Sequence, residues 1–128
     1  MLTLMMITVR REMSLRLKDG GNAGAVVPGR LRVINPGTDP KAHPGELVNL
    51  RLDTSLGADP ENDVILGDQF ISRRHARLRW DGITWWIEDL GSRNGTYVNG
   101  LQITPGTPKP APSGARIFIG DMAFELVE

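Results

Sequence analysis

Two short runs hold the residues with chemistry to offer: Ile71-Ser72-Arg73-Arg74-His75 and Leu90-Gly91-Ser92-Arg93-Asn94-Gly95-Thr96. Ser72 brings a hydroxyl, which donates as well as accepts. Arg73, Arg74 and Arg93 bring planar guanidinium groups that stay charged. Asn94 brings an amide able to bond both edges of a peptide unit, and Gly91 and Gly95 free the backbone for turns. Brought to one place, these groups make a small anion site beside a peptide-reading amide. A phosphorylated side chain is the matching ligand, with roughly −2 charge and three strong acceptor oxygens. Arginine clusters are a recurring means of capturing it. Other readings use the same residues. Arg73, Arg74, Arg77 and Arg79 serve equally to solvate an exposed strand, Ser72 to start a turn, and Asn94-Gly95 and Asn99-Gly100 as plain turn residues. Residue types and spacing alone reach a basic loop end and stop there.

Catalysis and metal chemistry find less support. Ser72 and His75 would pair a nucleophile with a base, but no orienting third group, oxyanion donors or nucleophile-elbow glycines accompany them. A phosphate-cradling P-loop is absent too, and the chain reads as a non-enzyme. It contains no cysteine, which excludes disulfides, thiolate metal sites and a cysteine nucleophile. His43 and His75 stand far apart, so no metal or cofactor is expected. The 128 residues include 15 basic and 15 acidic side chains. Bulk charge therefore argues for neither a nucleic-acid nor a membrane partner, and attraction for anions must be local. No stretch approaches the roughly 20 apolar residues of a membrane helix. With no cysteine, a cytoplasmic location is expected.

The elements that must position these residues read as β-strands. Candidate strands are Leu31–Asn35, Glu46–Leu52, Ser55–Ala58, Val64–Leu66, Ala76–Trp80, Thr84–Glu88, Tyr97–Val98, Ile103, Arg116–Ile119 and Ala123–Val127. Many short strands at close spacing predict an all-β sandwich or barrel. Asp81-Gly82 and Asn99-Gly100 are strong hairpin signals and Gly120-Asp121 a weaker one. Pro36–Gly45 and Thr104–Ser113 are proline-rich, lack backbone donors, and are expected as surface loops. Residues 1–29 read as a flexible N-terminal tail ending in a Gly-rich linker, and residues 30–128 as the folded domain. Within the tail, Leu2, Met5, Met6, Val9, Met13 and Leu17 fall near helical spacing.

The run Gly57 … Ser72-Arg73-Arg74-His75 … Asp89-Leu90-Gly91-Ser92-Arg93-Asn94-Gly95-Thr96-Tyr97-Val98-Asn99-Gly100 … Ile119-Gly120-Asp121 resembles the forkhead-associated (FHA) domain from about Leu31 to the C-terminus. The resemblance implies a β-sandwich of two twisted sheets, about eleven strands, with ligand loops at one end. It implies a phosphothreonine-dependent protein–protein interaction module. The implied partner is a phosphothreonine-containing segment, carried by a Ser/Thr kinase or its substrate. On this resemblance Ser72 and Arg73 contact the phosphate, Asn94 holds the ligand backbone and Arg93 lies beside it. Gly57, His75, Gly95, Asn99 and Gly100 shape and brace the loops. One position departs from the family pattern: Ala58 stands where the family usually has a phosphate-binding arginine. A hydrogen bond to a charged group contributes about 1.5–3 kcal/mol, against about 8 kcal/mol for a whole micromolar complex. Two expectations follow. Either Arg73 and Arg93 substitute for the missing cation, or the domain is a degenerate FHA scaffold with weak or no phosphate dependence. Asp59 and Glu61, beside Ala58, add repulsion.

Overall fold

The structure is a computed structural model, and it describes residues 27–128. The tail stripe from Leu2 to Leu17 and most of the linker lie outside the described residues. Among the described residues, eleven strands form two sheets. The strands are β1 (Arg30–Asn35), β2 (Leu47–Asn49), β3 (Asp53–Gly57), β4 (Val64–Ile65), β5 (Ala76–Trp80), β6 (Trp85–Asp89), β7 (Thr96–Val98), β8 (Leu101–Gln102), β9 (Lys109–Ala111), β10 (Arg116–Ile119) and β11 (Met122–Val127). One sheet has the order β2-β1-β11-β10-β7-β8 and the other β4-β3-β5-β6-β9. All pairings are antiparallel except β3 with β4. Among the described residues no helix is long and apolar enough to cross a membrane.

Strand alternation decides the core. In Ala76-Arg77-Leu78-Arg79, alanine and leucine are buried while Arg77 and Arg79 face outward, as the two-residue period of a strand requires. Leu31, Val33, Ile117, Ile119, Phe124 and Leu126 from the six-stranded sheet meet Leu56, Leu78, Trp85 and Ile87 from the other. All are at or below 4% exposure, and fully burying such a side chain is worth about 1.5–3 kcal/mol.

Several strand ends shift by one or two residues from the sequence reading, and three differences go further. The strand expected over Glu46–Leu52 stops at Asn49, because the buried Thr54 hydroxyl turns the chain. It accepts the Arg51 N–H at 2.8 Å and donates to the Arg51 carbonyl at 3.0 Å. Ile103 is the buried residue just after β8 rather than a strand, its N–H bonded to the Thr96 carbonyl at 2.9 Å. The proline-rich Thr104–Ser113 segment is not loop throughout: Lys109–Ala111 pairs with β6. As the last strand of its sheet, β9 tolerates Pro110, because prolines within sheets sit at edges. The hairpins fall where their dipeptides predicted. Asn99, at φ 52°, and Gly100, at φ 85°, join β7 to β8, the left-handed pair a tight hairpin demands.

The topology collects the turns of interest at one pole. β3 and β6 end beside the start of β5, with Leu56 and Asp89 both opposite Ala76. The β3–β4, β4–β5 and β6–β7 connections therefore emerge together. The Gly120-Asp121 turn joins them, since Asp121 N–H donates to Asp68 Oδ1 at 3.4 Å.

Candidate functional site

Three loops meet through backbone groups and a few buried polar side chains. Gly57 ends β3 against the β4–β5 loop. Its φ is not positive, so it is not required for a turn. A Cβ there would collide with the Arg73 carbonyl oxygen and lie 2.8 Å from Asn62 Nδ2, so glycine is needed for close approach. Asn62, 3% exposed, donates its amide to the Asp59 and Arg73 carbonyls at 2.9 and 2.7 Å. The N–H groups of Ala58 and Asp59 bond the Ser72 and Arg73 carbonyls, each at 3.1 Å. The first loop is thereby stitched to the second.

His75 stitches the second loop to the third. It is fully buried. The Ser72 N–H donates to His75 Nδ1 at 3.1 Å, and His75 Nε2 reaches the Gly95 carbonyl at 2.9 Å. A neutral ring with its proton on Nε2 satisfies both bonds. Both nitrogens are thus engaged with backbone, and neither bonds the Ser72 hydroxyl, so no nucleophile–base pair forms. Burial holds the His75 pKa below its ordinary 6.5, against opposing contributions from the Gly95 carbonyl and Asp89. Depressed in the folded state, this group stabilises the fold fully above the unfolded value. Its contribution is lost as pH falls, because the unfolded chain then binds the proton more readily. Unfolding free energy from denaturant titration is expected to fall below pH 6.5 with a slope approaching one proton, about 1.4 kcal/mol per pH unit. A His75→Gln variant should lack that segment of the profile.

The third loop is built on Asp89, a fully buried carboxylate. It accepts the Gly91 and Ser92 N–H groups at 3.0 Å, the Ser92 hydroxyl, and the Thr96 hydroxyl at 2.6 Å. Burial pushes its carboxyl up, but these hydrogen bonds outweigh it and keep the group below the usual range. Gly91 and Gly95 take φ values of 84° and 87°. Asp68, at 2% exposure, does the same work under the β4–β5 loop, accepting the Thr38 and Phe70 N–H groups at 2.8 Å. Asn62-Asp63 reads in the sequence as a turn-building pair, with no hint that Asn62 bridges two loops, and Asp68 stands in no such pair. Asp89 and Ser92 lay within the motif but without a role. Their signal is a short polar residue within two positions of Gly or Pro, the composition of a side-chain-capped turn.

On this frame stand the candidate ligand groups. Ser72 Oγ accepts the Arg93 N–H at 2.9 Å, which orients the hydroxyl and leaves its own proton to donate. Asn94 is exposed and its Nδ2 donates to the Phe70 carbonyl at 2.8 Å, leaving Oδ1 as a free acceptor. Arg73 is differently placed from its expected role: its Nη2 bonds Asp59 Oδ2 at 2.8 Å. The Glu61 N–H and then Arg73 hold the Asp59 carboxyl below the usual range, and the nearby charge of Arg74 contributes as well. Asp59 is thus an anion already seated among the arginines. Arg74 and Arg93 are exposed, and neither guanidinium is ion-paired among the described residues.

The family model for the FHA domain matches residues 54–120, more than half of the chain. The chain belongs to the FHA-domain family. FhaB of Mycolicibacterium smegmatis is 34% identical over 94% of this chain and 74% of its own length. FhaB of Mycobacterium tuberculosis is 41% identical over 71 residues, and this FHA chain spans only 44% of that relative's length. A solved FHA domain with phosphothreonine-dependent interactions superposes with a TM-score of 0.64 at 27% identity, covering 78% of this chain and 95% of its own. FHA domains are non-enzymatic, phosphothreonine-dependent interaction modules of Ser/Thr kinase signalling. The FHA fold here is the expected one, two sheets with the loops gathered at one end.

Proposed function

We propose that this FHA domain reads a phosphothreonine-containing segment of a partner protein, with the phosphate held by Ser72 and by the guanidinium groups of Arg93 and Arg74. Asn94 holds the ligand backbone through Oδ1, and Arg73 contributes once Asp59 releases it. The observation that carries this reading is the Arg93 N–H to Ser72 Oγ bond, which ties the hydroxyl to the third loop and frees its proton for an anion. The module performs no reaction of its own. Residues 30–128 form the reading domain, and the partner is a Ser/Thr kinase or its substrate in the cytoplasm.

Titration with a phosphothreonine peptide and its unphosphorylated form tests the proposal. Binding is expected in the high micromolar range and only with phosphate, since one charged hydrogen bond of about 1.5–3 kcal/mol is missing at Ala58. Ser72→Ala is expected to weaken it about tenfold or more, with the circular dichroism spectrum unchanged. Equal binding of both peptides refutes the reading. A second reading rests on the Asp59–Arg73 pair: the internal carboxylate satisfies the site permanently, and the domain acts as a phosphate-independent scaffold. Equal affinity for the two peptides, insensitive to Ser72→Ala, is its signature.

A further inference from the structure

The chain contains three tryptophans, and all of them sit at the pole opposite the ligand loops. β5 and β6 run from those loops to the Asp81–Thr84 hairpin, which places Trp80, Trp85 and Trp86 at the far end of the sandwich. The Trp80 and Trp85 rings lie 5.6 Å apart at a 53° tilt. The Trp86 indole donates to Asp81 Oδ2 at 2.7 Å, which fixes its orientation. Two hollows share Trp80 as a wall. One, of about 100 Å³, lies among Pro28, Ile83, Trp85 and Val127. The other is an open groove of about 550 Å³ bordered by Arg79, Trp86 and Pro108. Ile83, in the hairpin and a wall of the smaller hollow, is 86% exposed. Rigid aromatic walls and an apolar tip gathered in one place mark an interaction surface. Trp85 Nε1 adds a second sign: the residue is 4% exposed, yet this N–H has no acceptor, although buried indole N–H groups ordinarily find one.

We propose that this pole is the docking surface for the chain's own N-terminal segment, residues 1–17, which presents Met5, Met6, Val9 and Met13 to the tryptophans. The chain enters the described body there. Val27 packs on the core, Pro28 is a wall of the smaller hollow, and Gly29 is buried against the Trp85 indole. The Gly-rich link from Lys18 to Val26 reaches up to roughly 30 Å when extended, at about 3.3–3.6 Å per residue. The smaller hollow borders the entry point, the groove shares its Trp80 wall, and both lie well inside that reach. Unbranched methionines suit irregular aromatic surfaces and make favourable sulfur–ring contacts. A tether this short gives an effective concentration on the order of 1 mM, so a contact of about 0.1 mM intrinsic affinity keeps the segment docked about nine-tenths of the time.

Limited trypsin digestion of the full chain, followed by mass spectrometry, tests this through cleavage at Arg10, Arg11 and Arg16. Ile83→Asp changes an exposed tip residue and is expected to speed cleavage of the tail about tenfold, with thermal stability unchanged. Met6→Asp combined with Val9→Asp, which leaves the folded body untouched, is expected to do the same and to speed hydrogen exchange at the Trp85 indole. Equal cleavage rates in the wild type and both variants would overturn the proposal. Protection that grows with protein concentration would overturn it too, because the occupant would then be a second copy.

Discussion

An Ala58→Arg, Asp59→Asn double variant is expected to bind a phosphothreonine peptide on the order of 100-fold more tightly than the wild type, with no gain for the unphosphorylated form. Each change acts on a different deficit. Arginine at position 58 restores a guanidinium on the loop that the Ala58 N–H already ties to the Ser72 carbonyl. Asparagine at 59 keeps an oxygen for the Glu61 N–H, which Asp59 Oδ1 accepts at 2.8 Å. It removes the negative charge that now engages Arg73 and leaves that side chain to the phosphate. Each restored charged hydrogen bond is worth about 1.5–3 kcal/mol. Two together make about 3–6 kcal/mol, and about 1.4 kcal/mol is tenfold in affinity. The positions are adjacent and the effects need not add, so the lower end of that range sets the expectation. Isothermal titration calorimetry on the double and single variants reads it. If Asp59→Asn alone supplies about tenfold, the internal carboxylate competes with the ligand. No gain in any variant would show that these arginines do not face the phosphate, and the scaffold reading would replace the reader.

Gly57→Ala is expected to destabilise the fold by about 3 kcal/mol, although it adds only a methyl group. The new Cβ would collide with the Arg73 carbonyl and approach Asn62 Nδ2 to 2.8 Å. Neither neighbour is a flexible end that can swing away. To make room, the β4–β5 loop must retreat. The bonds to the Arg73 carbonyl from Asn62 Nδ2 and the Asp59 N–H, and that from the Ala58 N–H to the Ser72 carbonyl, are then put at risk. Three neutral hydrogen bonds at about 1 kcal/mol each set the magnitude. For a domain of this size, thermal unfolding should fall by roughly 12–24 °C. Gly45→Ala is the control. Gly45 has φ 86° with nothing near its missing Cβ, so only backbone strain of about 1 kcal/mol is expected there. Equal shifts for the two variants would show that crowding at Gly57 is not what excludes a side chain.

Alternation and turn dipeptides are enough to predict an all-β sandwich or barrel and its hairpins, because strand period and left-handed turn residues act locally. The FHA resemblance selects the sandwich. Ala76-Arg77-Leu78-Arg79 announces its buried face, and Asn99-Gly100 its turn, without knowledge of any distant residue. The family motif likewise named Ser72, Arg93 and Asn94 in linear order. Only the tertiary structure could decide which partner each group has. The Arg73 guanidinium bonds Asp59, and Gly57 yields its space to the carbonyl of Arg73. Ser72 takes its N–H partner from Arg93. These are contacts between loops brought together by sheet pairing, and a hydrogen bond depends on a few tenths of an ångström that spacing along a chain does not encode.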